Sequence, residues 1–307
     1  MGKREFYLDI LKKLESQEDV VTETLLTGER AGEKRILGQL PEGLEGRYVE
    51  SIYGKPHAVI CGGGHVSLAL AKVLELLDFR ISVIDNRPEF ASQERFPQAK
   101  VYCQDFAACL DREDFGRNTY YIIVTRGHKD DYMCLKRILK KPYVYIGMIG
   151  SRKKVALSFN RLRADGFSEM QIQKVHAPIG LDIGAQTPSE IAVSIAGEMI
   201  REKNRQERNV LEEAVAEGIR NPKGRVLVSV IEKKGSSPRG TGTRMVVNSD
   251  GSICGTIGGG SVEFAAIERA ERLTENFALE EYDLSNSQAA GLGMVCGGRV
   301  KVMFELL

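Results

Sequence analysis

Residues 61–71, CGGGHVSLALA, decide the fold. Three glycines end an apolar run, HAVIC at 57–61, and open a segment whose apolar residues recur with helical spacing, VSLALAKVLELL. A strand that turns on glycine into a helix is the phosphate-binding corner of a doubly wound α/β sheet. Glycine lets the backbone turn tightly and brings bare N–H groups to an anion at the positive end of the helix. Gly62 and Gly64 fill the first two positions of the G-x-G-x-x-G pattern, His65 adjoins them, and Ser67 stands where the pattern has Gly or Ala. Asp85 ends the next apolar run, RISVID at 80–85, about 20 residues on, where such folds set a carboxylate against ribose hydroxyls. A carboxylate there favours an unphosphorylated ribose, as in NAD, and Arg87 two residues later blunts that preference.

Outward from this corner, between about 55 and 205, short β-branched runs alternate with helical periodicity. Further strands are expected at KVYC (100–103), YYIIVT (120–125) and YVYIGMI (143–149), with helices at DDYMCLKRILK, at KKVALSFNRLRADG stopping at Gly166, and at TPSEIAVSIAGEMIREKNRQ. In the last of these Thr187 is the expected N-cap and Pro188 takes the first helical position. The alternation predicts a parallel sheet with crossover helices. Polar residues gather at the carboxyl ends of the strands, where open α/β sheets bind ligands: Thr125, Arg126, Gly127 and His128, then Gly150, Ser151 and Arg152. Either Ser151 caps a helix while Arg152 meets an anion, or the whole set is turn and cap residues of a scaffold. No nucleophile elbow or HExxH accompanies His128 or His176.

The polar stretch from Glu202 to Asn209 marks a boundary, and from about 224 the texture changes to RVLVSVIEKKGSSPRGTGTRMVVNSDGSICGTIGGG. Alternating residues with turns at glycine predict an antiparallel sheet. SVEFAAIERAERL has helical spacing and RVKVMFELL alternates as a strand. The first fifty residues offer one helix, a VVTETLL strand and little else, too little for a core of their own.

The 307 residues carry 43 basic and 42 acidic side chains, net +1, so no global field draws the chain to nucleic acid or to an anionic membrane. MGKREFYLDILKKLESQEDV is amphipathic, without an uninterrupted apolar stretch, which predicts neither a signal peptide nor a membrane span and makes a cytoplasmic location the expectation. Cys61, Cys103, Cys109, Cys134, Cys254 and Cys296 show no CxxC pair and no zinc-ligand spacing, a usage that suits reduced thiols.

GSSPRGTGTRMVV, DGSICGTIGGGSVE and VCGGRVKVMFELL resemble the first domain of the xanthine dehydrogenase accessory factors (XdhC/CoxI), which include maturation factors of carbon monoxide dehydrogenase. CGGGHVSLALA, VIDNRPEFASQERFP, YIGMIGSRKK and HAPIGLDIGAQTPSEIAVSIAGEMI resemble that family's Rossmann-like domain. The family places the glycine-rich domain first, whereas here its motifs come second, so the resemblance implies a circular permutation. The implied class is α/β: a Rossmann-like doubly wound parallel sheet plus a second glycine-rich α+β domain. The division that follows is 1–50 completing the C-terminal domain, 51–208 as the Rossmann-like nucleotide-binding domain, and 209–307 as the glycine-rich domain.

The resemblance further implies a non-catalytic accessory factor. It would bind the molybdenum cofactor, as molybdopterin or its dinucleotide form, protect it during sulfuration and deliver it to a xanthine dehydrogenase-type apoenzyme. The anionic tail would rest on Arg239, Arg244 and the backbone of Gly258, Gly259 and Gly260, with Ser237, Ser261 and Gly297 beside them in the cofactor site and Glu263 either a site carboxylate or an early-helix carboxylate satisfied by the dipole. Cys296 matches the family's cysteine and would contact molybdenum or carry persulfide sulfur, while Ser261 replaces a second family cysteine. Gly62, Gly64, His65, Asp85, Arg126, Ser151 and Arg152 would hold NAD or another nucleotide at the Rossmann site. A cysteine desulfurase and a second copy of the chain are further candidate partners, with no nucleic acid or membrane expected. Two other functions use the same fold, an NAD-dependent oxidoreductase and a nucleotide-sensing regulator.

Overall fold

The computed structural model describes residues 2–16, 18–38, 41, 43–205, 209–235, 240–283 and 298–307. The chain divides into two units, Met1–Gly54 with Glu207–Leu307, and Lys55–Gln206. No helix among the described residues is long and apolar enough to cross a membrane.

The first unit begins with helix α1 (Lys3–Glu15), which buries Phe6, Tyr7, Ile10 and Leu11 along one face. Strands β1 (Val20–Leu25), β2 (Lys34–Leu37) and β3 (Arg47–Tyr53) follow, with β1 antiparallel to both of the others. Only β1 was expected from sequence. β2 and β3, KRIL and RYVESIY, carry charges that look solvent-bound in sequence but are partly buried as ion pairs.

The second unit runs β4 (His57–Cys61), α2 (His65–Leu76), β5 (Arg80–Asp85), β6 (Lys100–Cys103), α3 (Phe106–Arg112), β7 (Thr119–Ile123), α4 (His128–Ile138), β8 (Tyr145–Met148), α5 (Arg152–Ala164), α6 (Glu169–Gln173), β9 (Val175–His176) and α7 (Pro188–Arg205). Its sheet order is β6-β5-β4-β7-β8-β9, every neighbouring pair parallel. Strand residues alternate between two cores. Val59, Cys61 and Tyr121 pack with α3, α4 and α5, whereas Ala58, Ile60 and Tyr120 pack with α2 and α7. This is the expected α/β class, with β4 flanked by β5 and β7 so that the strand order reverses at its carboxyl end. The helices α3 and α6 and the strand β9, all short, went unread in the sequence.

The first unit resumes with β10 (Asn209–Val210), α8 (Glu213–Arg220), β11 (Gly224–Gly235), β12 (Arg244–Asn248), β13 (Ile253–Gly255), α9 (Gly260–Glu271), β14 (Phe277–Asp283) and β15 (Gly298–Leu306). One sheet is β13-β12-β11-β15-β14, antiparallel, and β10 joins β3 to give a second, β10-β3-β1-β2. One core cluster mixes both ends of the chain, Phe6, Tyr7, Ile10 and Ile52 with Val215, Ile219, Leu227 and Val246. Two buried ion pairs join the same ends. Lys34 lies 3.1 Å from Glu305, which also accepts the Tyr7 hydroxyl at 2.6 Å, and Arg244 pairs with Glu50.

In the second unit the loop between β9 and α7 is tied down by the buried Glu198. Its Oε2 accepts the Tyr145 hydroxyl at 2.7 Å and the Gly180 N–H at 2.9 Å, and its Oε1 lies 3.1 Å from Arg201 Nη2 and 3.6 Å from His176 Nδ1. Burial alone would raise this carboxyl's pKa; hydrogen bonds from His176, Tyr145 and Gly180 outweigh it and hold the value at about 2 instead of 4.5. A folded pKa below the unfolded one means stabilisation that is complete above the unfolded value and lost as pH falls through the folded one. The thermal midpoint of the protein is therefore expected to drop between about pH 4.5 and 2, and Glu198→Gln is expected to flatten that slope. Equal slopes for parent and variant in a pH series of melting curves would refute the brace.

Candidate functional site

At the end of β4, Gly62 adopts φ +112°, and a Cβ there would stand 2.4 Å from the Val124 carbonyl oxygen. Only glycine lets this turn pass so close to the chain leaving β7. A Cβ at Gly63 would meet the Phe90 carbonyl oxygen at 2.3 Å. Ser67 is buried in α2 and donates to the Gly62 carbonyl at 2.5 Å, so the departure from the glycine pattern closes the turn with a side-chain hydrogen bond. Gly64, the N-cap of α2, has open space where its side chain would be, and His65 is exposed.

Asp85 is 1% exposed. Its Oδ2 accepts the Gly63 N–H at 2.8 Å and Arg87 Nη2 at 2.9 Å, while Oδ1 accepts the Arg87 N–H at 3.1 Å and Nε at 2.9 Å. Four donors saturate the lone pairs of a carboxylate. In this arrangement the Asp85 side chain braces the glycine turn, and the ribose contact expected for it would compete with these donors. Burial opposes its charge, but the Arg87 guanidinium and the two N–H groups hold the carboxyl below its ordinary range. Arg87 in turn lies 3.8 Å from the Phe90 ring centroid, and Arg95 donates to the Gly63 carbonyl at 3.2 Å, so the stretch after β5 closes over the turn. Arg87 as Asp85's partner was missed, although its spacing was visible.

The loops leaving β7 and β8 lie side by side, because these strands pair in parallel. Thr125 donates to the buried Asp131 at 2.6 Å, leaving Arg126 and His128 exposed. Ser151 caps α5 by accepting the Lys154 N–H at 3.4 Å, and Arg152 is exposed. Arg126 and Arg152 have no ion-pair partner among the described residues.

In the first unit Gly258, Gly259 and Gly260 all have positive φ, 126°, 73° and 70°, and lead into α9 with Ser261 as its second residue. Glu263 reaches back over the turn: Oε2 accepts the Ile257 N–H at 2.9 Å, the Gly259 N–H at 3.2 Å and the Thr256 hydroxyl. Burial would raise its pKa and these donors lower it. Of the glycine donors expected to hold a ligand's anion, Gly259 is engaged by Glu263 and Gly258 by the Thr256 hydroxyl at 3.1 Å. Arg244 is corrected outright, since it is 3% exposed and bound to Glu50 and to the Gly242 carbonyl, with no free face for a ligand. Ser237, Arg239, Cys296 and Gly297 lie outside the described residues. No cluster of three or more potential metal ligands occurs among those described.

Residues 58–199 match the XdhC Rossmann domain, and residues 219–283 match the XdhC and CoxI family. The chain belongs to the XdhC family. Its Rossmann match precedes the other. Among relatives, the uncharacterized protein YqeB of Escherichia coli is 35% identical over 157 residues, 50% of this chain and 29% of that protein. A probable xanthine dehydrogenase component of Bacillus subtilis is 26% identical over 159 residues, 52% of this chain and 46% of that one. The molybdenum cofactor insertion chaperone PaoD of Escherichia coli is 46% identical over 101 residues, 33% of this chain and 31% of PaoD. The alignments span less than half of each of these relatives. A crystal structure described as a xanthine dehydrogenase from Bacillus halodurans shares the fold, with TM-score 0.55 and 22% identity over 67% of this chain and 69% of that one.

The XdhC Rossmann unit should depend on Asp85 for stability. Asp85→Ala leaves the buried Gly63 N–H without its acceptor and the part-exposed Arg87 guanidinium to solvent, and stranding a buried donor costs about 1–3 kcal/mol. Urea unfolding should show a loss of that order; a loss below about 1 kcal/mol, the range of exposed pairs, would return Asp85 to the role of a free ligand residue.

Proposed function

We propose that this chain is a maturation factor that binds the molybdenum cofactor, as molybdopterin or its dinucleotide form, and delivers it to a xanthine dehydrogenase-type apoenzyme. The observation that carries the reading is the 46% identity with an insertion chaperone for that cofactor, in a chain that matches both XdhC families. The geometry supports it by offering exposed cations with no ion pair among the described residues, Arg126 after β7 and Arg152 after β8, with exposed Ser151 after β8 and exposed His65 and the open backbone at Gly64 after β4. These suit the phosphate tail, since a guanidinium matches phosphate with two parallel N–H donors. A nicotinamide dinucleotide is the weaker assignment, because Asp85 has no lone pair left for a ribose hydroxyl.

In this proposal Cys296 serves the metal end of the cargo. A thiolate is soft enough to meet molybdenum and can carry sulfane sulfur as a persulfide, with a cysteine desulfurase as its source. Dimerisation through a two-fold contact also belongs to the proposal.

Co-expression with the cofactor's biosynthetic enzymes, followed by pterin and molybdenum analysis of the purified chain, tests it. Bound pterin is expected in the parent and several-fold less in an Arg126→Ala, Arg152→Ala double variant. Cys296→Ser should keep the pterin and lose activation of the target hydroxylase. A parent chain free of pterin would sink the proposal.

A further inference from the structure

The cations at the edge of the Rossmann unit extend beyond the residues discussed so far. Arg126, Lys129, Arg152, Lys153, Lys154 and Arg161 form no ion pair among the described residues. On the same helices Lys136 pairs with Asp165, Arg137 with Asp111 and Arg163 with Glu169. In a chain of net charge +1, such a concentration of unmatched positive charge is local and directed.

Two of these cations, Lys154 and Arg161, line a cleft of about 420 Å³ between the start of α4 and one stripe of α5. His128, Lys154, Asn160 and Arg161 supply its polar groups, while Leu157, 59% exposed, and Ala164 supply apolar wall. Lys154, Leu157, Arg161 and Ala164 fall at intervals of three and four, so one helical face presents cation, apolar, cation, apolar. Arg161 is held in place. Its guanidinium lies 4.1 Å from the Tyr132 ring centroid, and the Tyr132 hydroxyl donates to Asp165 at 2.5 Å. A stacked, anchored guanidinium loses little freedom when it meets an oxyanion. The acidic residues of α4's first turn are Asp130 and Asp131, and Asp131 is buried against Thr125.

We infer that this cleft binds a phosphate monoester carried on a flat heterocyclic ring. Lys154 and Arg161 would take the phosphate, and Leu157 and Ala164 would take the ring. The volume lies within the span of small-ligand sites, roughly 300–1,000 Å³, and a few convergent polar groups on an apolar wall are their usual make-up. The inference goes beyond the maturation proposal, which seats the cofactor's phosphate at Arg126 and Arg152: the cleft is a second site, and its ligand is a nucleoside monophosphate.

The test uses the full chain and two probes. Calorimetry with adenosine 5′-monophosphate should show binding that inorganic phosphate and adenosine each reproduce about tenfold more weakly or worse, since each keeps one of the two contacts. Lys154→Ala and Arg161→Ala should each weaken the nucleotide about tenfold, as expected for a lost charge-assisted hydrogen bond. Leu157→Ser should weaken the nucleotide and leave inorganic phosphate unchanged, and Lys72→Ala on α2 should alter neither. In the second arm, bound pterin is measured in parent and Lys154→Ala protein purified from cells that make the cofactor. Loss of nucleotide affinity with pterin retained supports a separate nucleotide site; loss of pterin together with the nucleotide overturns it as a second site. Cleft variants that keep both overturn the inference even if the parent carries pterin. A pterin-free parent with cleft-dependent nucleotide binding overturns the maturation proposal and leaves this one standing.

Discussion

A carboxylate set against the backbone N–H groups of a glycine turn recurs three times, and each occurrence fixes a turn on which the surrounding unit depends. Asp85 holds Gly63, Glu198 holds Gly180, and Glu263 holds Ile257 and Gly259. Turns that visit positive φ, as at Gly62, Gly180 and Gly259, point successive N–H groups into one concavity rather than into a helix or sheet ladder. An unanswered buried donor costs about 1–3 kcal/mol, so the chain supplies its own acceptor. All three carboxyls stay below their ordinary pKa although burial works the other way, because the donors favour the charged form more than burial disfavours it.

The first unit depends on a similar trade with whole side chains. Glu50 and Arg244 are each almost wholly buried, and so are Lys34 and Glu305. Each pair joins a residue near the start of the chain to one near its end. Burial disfavours both charges of the first pair, yet their attraction lowers the Glu50 pKa and raises that of Arg244. Neither segment could keep these charges buried alone. Such pairs contribute little net stability compared with apolar replacements, but a missing partner is severely destabilising, so they enforce correct pairing of distant segments.

Much of the parallel sheet was legible because its strands are apolar on both faces. HAVIC, RISVID and KVYC coincide with β4, β5 and β6, and the helix stop at Gly166 has the positive φ of 87° that a left-handed cap requires. β2 and β3 were illegible for the opposite reason, since Lys34 and Glu50 read as solvated residues until their partners, 271 and 194 residues away, are in place. The site was half legible. Residue types at the strand ends were read correctly as polar and anionic or cationic, but sequence does not say whether a carboxylate faces a ligand or the chain's own backbone. Arg244 shows this most plainly: an arginine beside a glycine-rich turn looks like an anion contact, and only the fold reveals Glu50 beneath it.

These assignments separate two layers within the motifs that mark the family. Asp85 in VIDNRPEF, Glu198 in the segment after IGLDIGAQTPSE and Glu263 after IGGG are internal ties, and each occupies backbone donors that an outside anion would need. A motif can therefore persist for the turn it builds, whatever the protein binds. In the proposed role, affinity for an anionic ligand would come from side chains outside the ties, such as the exposed Arg126 after β7 and Arg152, Lys153 and Lys154 at the start of α5. Charges on such a surface act through solvent and are largely screened beyond a Debye length of about 8 Å at physiological salt. Attraction of that kind can gather a phosphorylated ligand and still let it go, the behaviour required of a protein that transfers its cargo rather than keeping it.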